Sequence, residues 1–166
     1  MTHDEVGDAG DDLDHRLHHV HPDQLSEATS QTSGMRRREA ISGATVGSSE
    51  IWMGETIVPP ATGSGNHHHG KSETGIYVVE GHPEFVFLDG DQETRLKTSP
   101  GDYVYVPPWV PHREENPSPD EEAVVVLARS TQEGIVVNLP SLRTHVPELD
   151  EYLAELERER EAAATD

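Results

Sequence analysis

The chain has 166 residues, no cysteine, and 32 acidic against 12 basic residues, which gives a formal net charge of −20. Its length fits one domain, and the lack of cysteine excludes disulfides and thiolate metal ligands, so that nitrogen and oxygen donors remain for a metal. The acidic balance excludes a surface that attracts nucleic-acid phosphates, and no apolar run approaches the roughly 20 residues that a membrane helix needs.

The acidic residues extend through the chain and are not confined to its ends. Asp89, Glu114 and Glu121 lie inside the region that is predicted to fold. Self-repulsion of this size destabilises a compact protein in dilute buffer, and salt at 1 M screens it to within about 3 Å. Residues 1–10 are acidic, whereas a signal peptide is basic and then apolar. We therefore expect a cytoplasmic protein of a salt-rich cell; the alternative is a mesophilic protein with acidic tails.

Four regions follow one another along the chain. Residues 1–20 are predicted to be a disordered, acidic and histidine-rich tail, because they combine few apolar residues with many aspartates. Residues 21–42 are predicted to form an ordered N-terminal arm. Residues 43–140 have the pattern of a β barrel, and residues 141–166 that of a helix and a tail.

Short β-branched and aromatic runs alternate with proline and glycine turn signals in the barrel region. The predicted strands are 51–58, 75–80, 84–88, 93–97, 103–106, 110–115, 123–129 and 135–139. Many short strands at this spacing favour a sandwich or barrel, and therefore an all-β fold class.

The C-terminal region has a different period. Leu149, Tyr152, Leu153 and Leu156 stand at helical spacing, and Pro147 suits a first helical turn. We predict an amphipathic helix that lies on the barrel or on a partner chain.

A run of three histidines, His67 to His69, is the strongest chemical signal. Alternate side chains of a strand face the same way, so His67 and His69 are predicted to meet one ion together. Glu73 follows Gly70, whose access to positive φ allows the chain to bend back with a third ligand. Two histidines and a carboxylate leave coordination positions open, as in metal sites that do chemistry. The alternative is a polar loop that binds metal adventitiously.

A second stretch, residues 101–116, brings another histidine. A Gly-Asp turn starts a β run, Pro107 and Pro108 end it, and His112 follows. Strand parity places Glu114 on the same face as His112.

These two stretches resemble the two motifs of the cupin superfamily. The second motif fits from Gly101 through Pro107 and His112 to Asn116, and departs at Trp109, where the family usually has glycine. The first motif fits His67, His69 and Glu73. Counting back from its closing glycine, Gly81, instead places the acid position on Thr74, and Ala61 stands at the leading glycine position. Either a bulge turns Glu73 inward, or the site has three histidines with Thr74 beside them.

The resemblance implies a small single-domain cupin, with a jelly-roll barrel (a double-stranded β-helix) and a homodimeric assembly. It also implies one divalent transition metal, either iron, manganese, zinc or nickel, held by His67, His69, Glu73 and His112. Iron supports dioxygen activation, and the other ions support Lewis-acid steps in isomerases, lyases or decarboxylases.

Four further residues are predicted to line a substrate pocket: Tyr77, Tyr105, Trp109 and Glu114. The function predicted from the site is a metal-dependent enzyme that acts on a small carbonyl- or carboxylate-containing molecule. A non-catalytic cupin that binds or senses a small ligand is the alternative. A metal-free structural cupin is disfavoured because three histidines stand at the motif positions.

Overall fold

The computed structural model describes residues 16–132 and 135–164. Residues 1–15, most of the predicted disordered tail, lie outside the described residues. Within the described residues, a 3-10 turn, Pro22–Gln24, precedes eleven strands and two α-helices. The strands are β1 Arg36–Ile41, β2 Trp52–Val58, β3 Thr62–Gly63, β4 His67–His68, β5 Thr74–Glu80, β6 Glu84–Asp89, β7 Gln92–Lys97, β8 Tyr103–Val106, β9 His112–Asn116, β10 Ala123–Arg129 and β11 Val137–Asn138; the helices are α1 Gly43–Val46 and α2 Pro147–Ala163.

The strands form two antiparallel sheets. The first sheet has the order β1-β2-β10-β5-β8, and the second has the order β11-β4-β9-β6-β7, with β3 paired to β9. Neighbours in each sheet are mostly distant in sequence, which is the wiring of a jelly roll. The predicted all-β class with a C-terminal helix is confirmed.

The strand predictions agree closely with these elements. The strands predicted at 103–106 and 123–129 have the observed bounds, and the strand predicted from residue 110 begins at His112 instead. Pro111 precedes it and has no amide hydrogen to donate to a ladder. The predicted arm, 21–42, contributes β1, which pairs with β2 of the same chain.

The core lies between the sheets. Its buried side chains come mainly from β2, β5, β6 and β10: Trp52, Ile76, Val78, Phe85, Val106, Val125 and Leu127. Strand β10 shows the alternation clearly, because Ala123, Val125, Leu127 and Arg129 are all buried while the residues between them are more exposed. The inward row of β10 therefore ends on an arginine.

Helix α2 lies on the surface. It begins at Pro147, just after the buried Val146, and none of its residues is buried. Leu149, Tyr152 and Leu156 are half-buried, whereas Leu153 is 52% exposed. The predicted apolar stripe is thus covered only in part. Among the described residues, no helix combines the length and the apolar character that crossing a membrane requires.

Candidate metal centre

Strands β4 and β9 bring three histidines together between the sheets. His67 stands directly opposite His112 in the β4–β9 ladder, and His69 faces the same way two residues later. One ligand nitrogen from each of the three lies within 4.8 Å of the others, and each side chain is at most 5% exposed. Three donors at this separation fit a single ion, to which histidine nitrogens bind at about 2.0–2.1 Å in zinc sites.

Hydrogen bonds orient the three rings. His67 Nδ1 donates to the Gly65 carbonyl and His112 Nδ1 donates to the Val110 carbonyl, both at 2.9 Å. A carbonyl can only accept, so the proton of each ring is on Nδ1 and the lone pair is on Nε2. His69 Nδ1 is 2.9 Å from the Thr74 hydroxyl. With every Nδ1 engaged, the Nε2 atoms are left for a metal, and such outer hydrogen bonds are usual for histidine ligands.

Burial keeps these imidazoles neutral. Desolvation lowers the pKa of His67 to about 4 and that of His112 to about 3, and lowers the pKa of His69 well below its ordinary value. The mutual proximity of the rings acts in the same direction for His69 and His112. Neutral imidazole is the form that binds a metal, so the three side chains are ready to ligate at neutral pH.

The predicted carboxylate ligand, Glu73, is not brought to this cluster. Glu73 is exposed, and its Oε1 accepts a hydrogen bond of 2.7 Å from the Tyr105 hydroxyl. Thr74 is fully buried and turns towards His69. Strand β5 begins at Thr74, which takes the first inward position of the strand, and Glu73 lies before it on the exposed side. Of the two arrangements that the motif left open, the structure has the one with three histidines and Thr74.

Gly70 and Trp109 shape the turns behind the cluster. Gly70 has a φ of 57°, and a Cβ there would lie 3.1 Å from Ile135 Cγ2. Trp109, at the position where the cupin motif has glycine, also has a positive φ, of 66°. The Trp109 amide donates to the Gly70 carbonyl at 2.8 Å, and its ring lies 5.8 Å from that of His68. His68 therefore faces away from His67 and His69, and Trp109 covers that side.

The predicted pocket residues are divided between the two sides of the barrel wall. Glu114 is buried and faces the histidines, as parity with His112 predicts. Tyr77 lies on the outer face of the first sheet and is 38% exposed. Tyr105 is 57% exposed and reaches only the rim of a cleft that ends at His112. Tyr77 faces outward because Ile76 and Val78 occupy the inward positions of β5.

Two spaces adjoin the histidines. The inner cavity, of about 10 Å³, is lined by the three histidines together with Arg37, Glu114 and Arg129. A larger apolar cleft, of about 290 Å³, opens beside it. Phe85 and His112 line both spaces, so the cleft lies directly beside the cluster.

Arg37 and Arg129 are the site residues that the sequence patterns above do not predict. Both are buried, at 3% and 2% exposure. The sequence could have predicted the direction of Arg129, because Arg129 follows Val125 and Leu127 at the two-residue spacing of side chains that face the core.

Glu114 is the carboxyl group of the inner cavity. It is 6% exposed, and its Oε1 has no hydrogen-bond partner in the part of the chain that the structure describes. Burial raises the pKa of Glu114 to about 7, although the charge of Arg37 acts in the opposite direction. The cavity thus combines neutral ligands, two guanidinium groups and one weakly acidic carboxyl group.

Comparison with known proteins identifies the architecture. Residues 54–128 match the family model of the cupin domain. Among curated proteins no significant match is found.

Solved structures share the fold at low sequence identity. An oxalate decarboxylase from Lactobacillus farciminis, solved as a formate complex, has a TM-score of 0.61 and 20% identity, over 72% of this chain and 35% of its own. The polyketide cyclase RemF from Streptomyces resistomycificus has a TM-score of 0.60 and 20% identity, over 75% of this chain and 86% of its own. The Bacillus subtilis oxalate decarboxylase, whose structure was solved to study its Mn(II) centres, has a TM-score of 0.58 and 22% identity. The match covers 67% of this chain and 29% of the decarboxylase.

This chain thus spans about a third of the length of these oxalate decarboxylases and most of the length of RemF. At these identities the likeness establishes the fold. The matched family model and the shared fold together show that residues 54–128 are a cupin domain.

Proposed function

We propose that this protein is a metal-dependent enzyme that acts on a small carbonyl- or carboxylate-containing molecule. One divalent transition metal would be held by His67, His69 and His112. The observation that carries the proposal is the convergence of three buried, neutral imidazoles whose Nδ1 atoms are already engaged. A structural core has no need of three such rings with their lone pairs facing one another, since buried polar atoms are normally paired.

The donor set fits manganese, iron, zinc or nickel, all of which accept imidazole ligands. Manganese is the first ion to test, because the Bacillus subtilis oxalate decarboxylase with this fold has Mn(II) centres. When bound, such an ion supplies Lewis-acid polarisation of a substrate oxygen or, in the case of iron, dioxygen chemistry.

The chain's own residues supply the rest of the site. The apolar cleft lined by Phe85 and Val110 lies beside the histidines and offers apolar surface to a substrate. Glu114, whose Oε1 is unpartnered beside the cluster, is the group placed to hold or accept a proton. The metal and the substrate together determine the reaction class, which is oxygenation, isomerisation, a lyase-type elimination or decarboxylation.

A non-catalytic binding or sensing cupin is the second candidate function. It is favoured by the size of the inner cavity, which at about 10 Å³ holds about one water-sized group beside the histidines. Retention of a small ligand without turnover distinguishes this function from that of an enzyme.

The cellular setting forms part of the proposal. The net charge of −20 supports a salt-rich cytoplasm, and a homodimer stays a prediction from the cupin resemblance. A melting temperature that is unchanged between dilute and molar KCl would contradict the salt-rich setting.

Elemental analysis of untagged protein, purified without chelator or added metal, tests the metal site. We expect about one equivalent of a single transition metal per chain, since the three donors fit one ion. The metal should be lost in His67→Ala and His69→Ala and kept in His68→Ala, whose ring faces the other way. Substoichiometric mixed metals in the unmodified protein would contradict the proposal. Incubation of the loaded protein with small oxo- and dicarboxylic acids, followed by NMR, then separates turnover from retention.

A further inference from the structure

Two buried arginines face the histidine cluster from the opposite sheet. Arg37 comes from β1 and Arg129 from β10, the two strands on either side of β2. Their guanidinium carbons lie 6.0 Å and 5.4 Å from the ring centre of Trp52, a core residue of β2. The indole holds both cations in place by packing and cation–π attraction. Both side chains line the same inner cavity as His67.

The hydrogen bonds of Arg37 differ from those of Arg129. Arg37 donates from Nη1 to the Ser30 carbonyl and from Nη2 to the Thr32 hydroxyl, both at 2.8 Å, which leaves its Nε unpartnered. Arg129 donates from Nη1 to the Ile135 carbonyl at 3.3 Å, and both its Nε and its Nη2 are unpartnered. Arg37 is therefore anchored within the fold, whereas one whole edge of Arg129 has no partner among residues 16–132 and 135–164.

That free edge has a specific chemical meaning. The Nε–H and one Nη2–H of a guanidinium group point the same way, at the spacing of the two oxygens of a carboxylate. Unpartnered donors that are fully buried cost stability unless something outside the chain satisfies them. A carboxylate group satisfies both donors of Arg129 at once.

The charges of the cavity point to the same ligand. In the described part of the chain, neither arginine forms an ion pair within 4.0 Å, although Glu114 lines the cavity with them. Glu39, the other buried carboxylate of this region, accepts from Trp52 Nε1 at 3.1 Å. Burial lowers the pKa of Arg129 to about 9, which still leaves the group protonated at neutral pH. These two buried cations stand against Glu39, which Trp52 holds, and against the weak acid Glu114, which is partly protonated at neutral pH, so positive charge exceeds negative charge in this interior.

We propose that Arg129, supported by Arg37, binds the carboxylate of a small anion beside the three-histidine cluster, and so restricts the substrates of this protein to small carboxylates. The inference rests on the proposed function, because it names the substrate class of that site. Under this inference, neutral carbonyl compounds are not substrates of the protein. The inner cavity of about 10 Å³ holds only about one water-sized group, so the side chains that line it must move apart for a small carboxylate to reach Arg129.

Calorimetric titration of metal-free protein tests the inference. Sodium formate and formamide are compared, with sodium sulfate as the supporting salt, because chloride competes as a small anion. We expect formate to bind and formamide not to bind, since the two differ mainly in charge. In Arg129→Lys the charge stays but the paired donors are lost, and formate affinity should fall about 10- to 100-fold. Arg36→Lys, on the same strand as Arg37 but exposed, should bind formate as the unmodified protein does.

Equal binding of formate and formamide, or unchanged formate affinity in Arg129→Lys, would overturn the inference. If Arg129→Lys does not fold, the contrast between formate and formamide in the unmodified protein decides the matter, with Arg37→Lys as the second variant. Metal content of the same samples separates the two proposals. Formate binding without metal binding sustains the anion site alone, and metal binding without discrimination by charge sustains the metal site alone.

Discussion

The two sheets of this protein face one another across the inner cavity with opposite chemistry. The second sheet contributes His67 and His112, whose rings are neutral and whose lone pairs point inward. The first sheet contributes Arg37 and Arg129, which stay protonated and present only donors. Lone pairs attract a cation, and N–H donors attract an anion. One interior therefore presents lone pairs suited to a cation on one sheet and donors suited to an anion on the other.

Each wall is held in place differently. The histidines are fixed by hydrogen bonds that begin at their own Nδ1 atoms, whereas the arginines lie against the face of Trp52. Removing a histidine should therefore affect metal binding alone, and removing an arginine should affect anion binding.

The largest effect is expected for His112→Ala. Loss of a direct ligand should lower metal affinity by more than the roughly 10- to 100-fold that outer-shell changes cost. Metal content per chain, measured after dialysis, checks this, with His68→Ala as the matched control because its ring faces Trp109. Full metal loading of the His112 variant would contradict the site.

The stability of metal-free protein should fall on acidification. His67 and His112 have native pKa values of about 4 and about 3 against an ordinary 6.5, so below pH 6.5 the unfolded chain binds protons that the native state does not. The free energy of unfolding then decreases as the pH drops towards 4, by about 1.4 kcal/mol for each unit of pKa difference. Denaturant unfolding at a series of pH values measures this.

Glu114 has the opposite effect on the pH dependence of stability, over a similar pH range. Its native pKa of about 7, against 4.5, means that the unfolded chain loses its proton first as the pH rises, so this group lowers stability between pH 4.5 and 7. Several histidines outweigh one carboxyl group, and Glu114→Gln should make the acid-induced fall steeper. Stability that is constant from pH 6.5 to 4 in both proteins would contradict the neutral, buried state of the cluster.

A moderate effect is expected for Thr74→Val, which removes the hydroxyl beside His69 Nδ1 and keeps the side-chain volume. Metal affinity should fall by about 10- to 100-fold, as for other outer-shell partners. Glu73→Gln is the matched control at the neighbouring position and should keep its affinity, because Glu73 is exposed. The reverse result, a loss in the Glu73 variant alone, would restore Glu73 as a ligand.

The smallest effect is expected for Tyr105→Phe. The hydrogen bond from Tyr105 to Glu73 lies at the surface, and it raises the pKa of Tyr105 to about 12, so that the hydroxyl stays a donor. Its loss should change the free energy of unfolding by about 1 kcal/mol or less and leave metal content unchanged. A large loss of metal in this variant would show that the outer face of the barrel contributes to the site.

Sequence alone predicts much of the fold and part of the site. The bounds of β8 and β10, the shared face of His67 and His69, and the shared face of His112 and Glu114 follow from a side-chain period of two residues. This period is local, because it depends only on the backbone of one strand. The cupin motifs then relate the two histidine stretches to each other.

The tertiary structure alone decides which face of each strand is inside and which distant strands are neighbours. The two-residue side-chain period of a strand cannot show that Thr74 turns inward and Glu73 does not, because that depends on the register of β5 against β8. Nor can it place Arg37 beside Arg129, which are far apart in the chain and meet because β1 and β10 both pair with β2. Strand pairing is set by the burial of whole faces, so the anion-binding wall exists only once both sheets have formed.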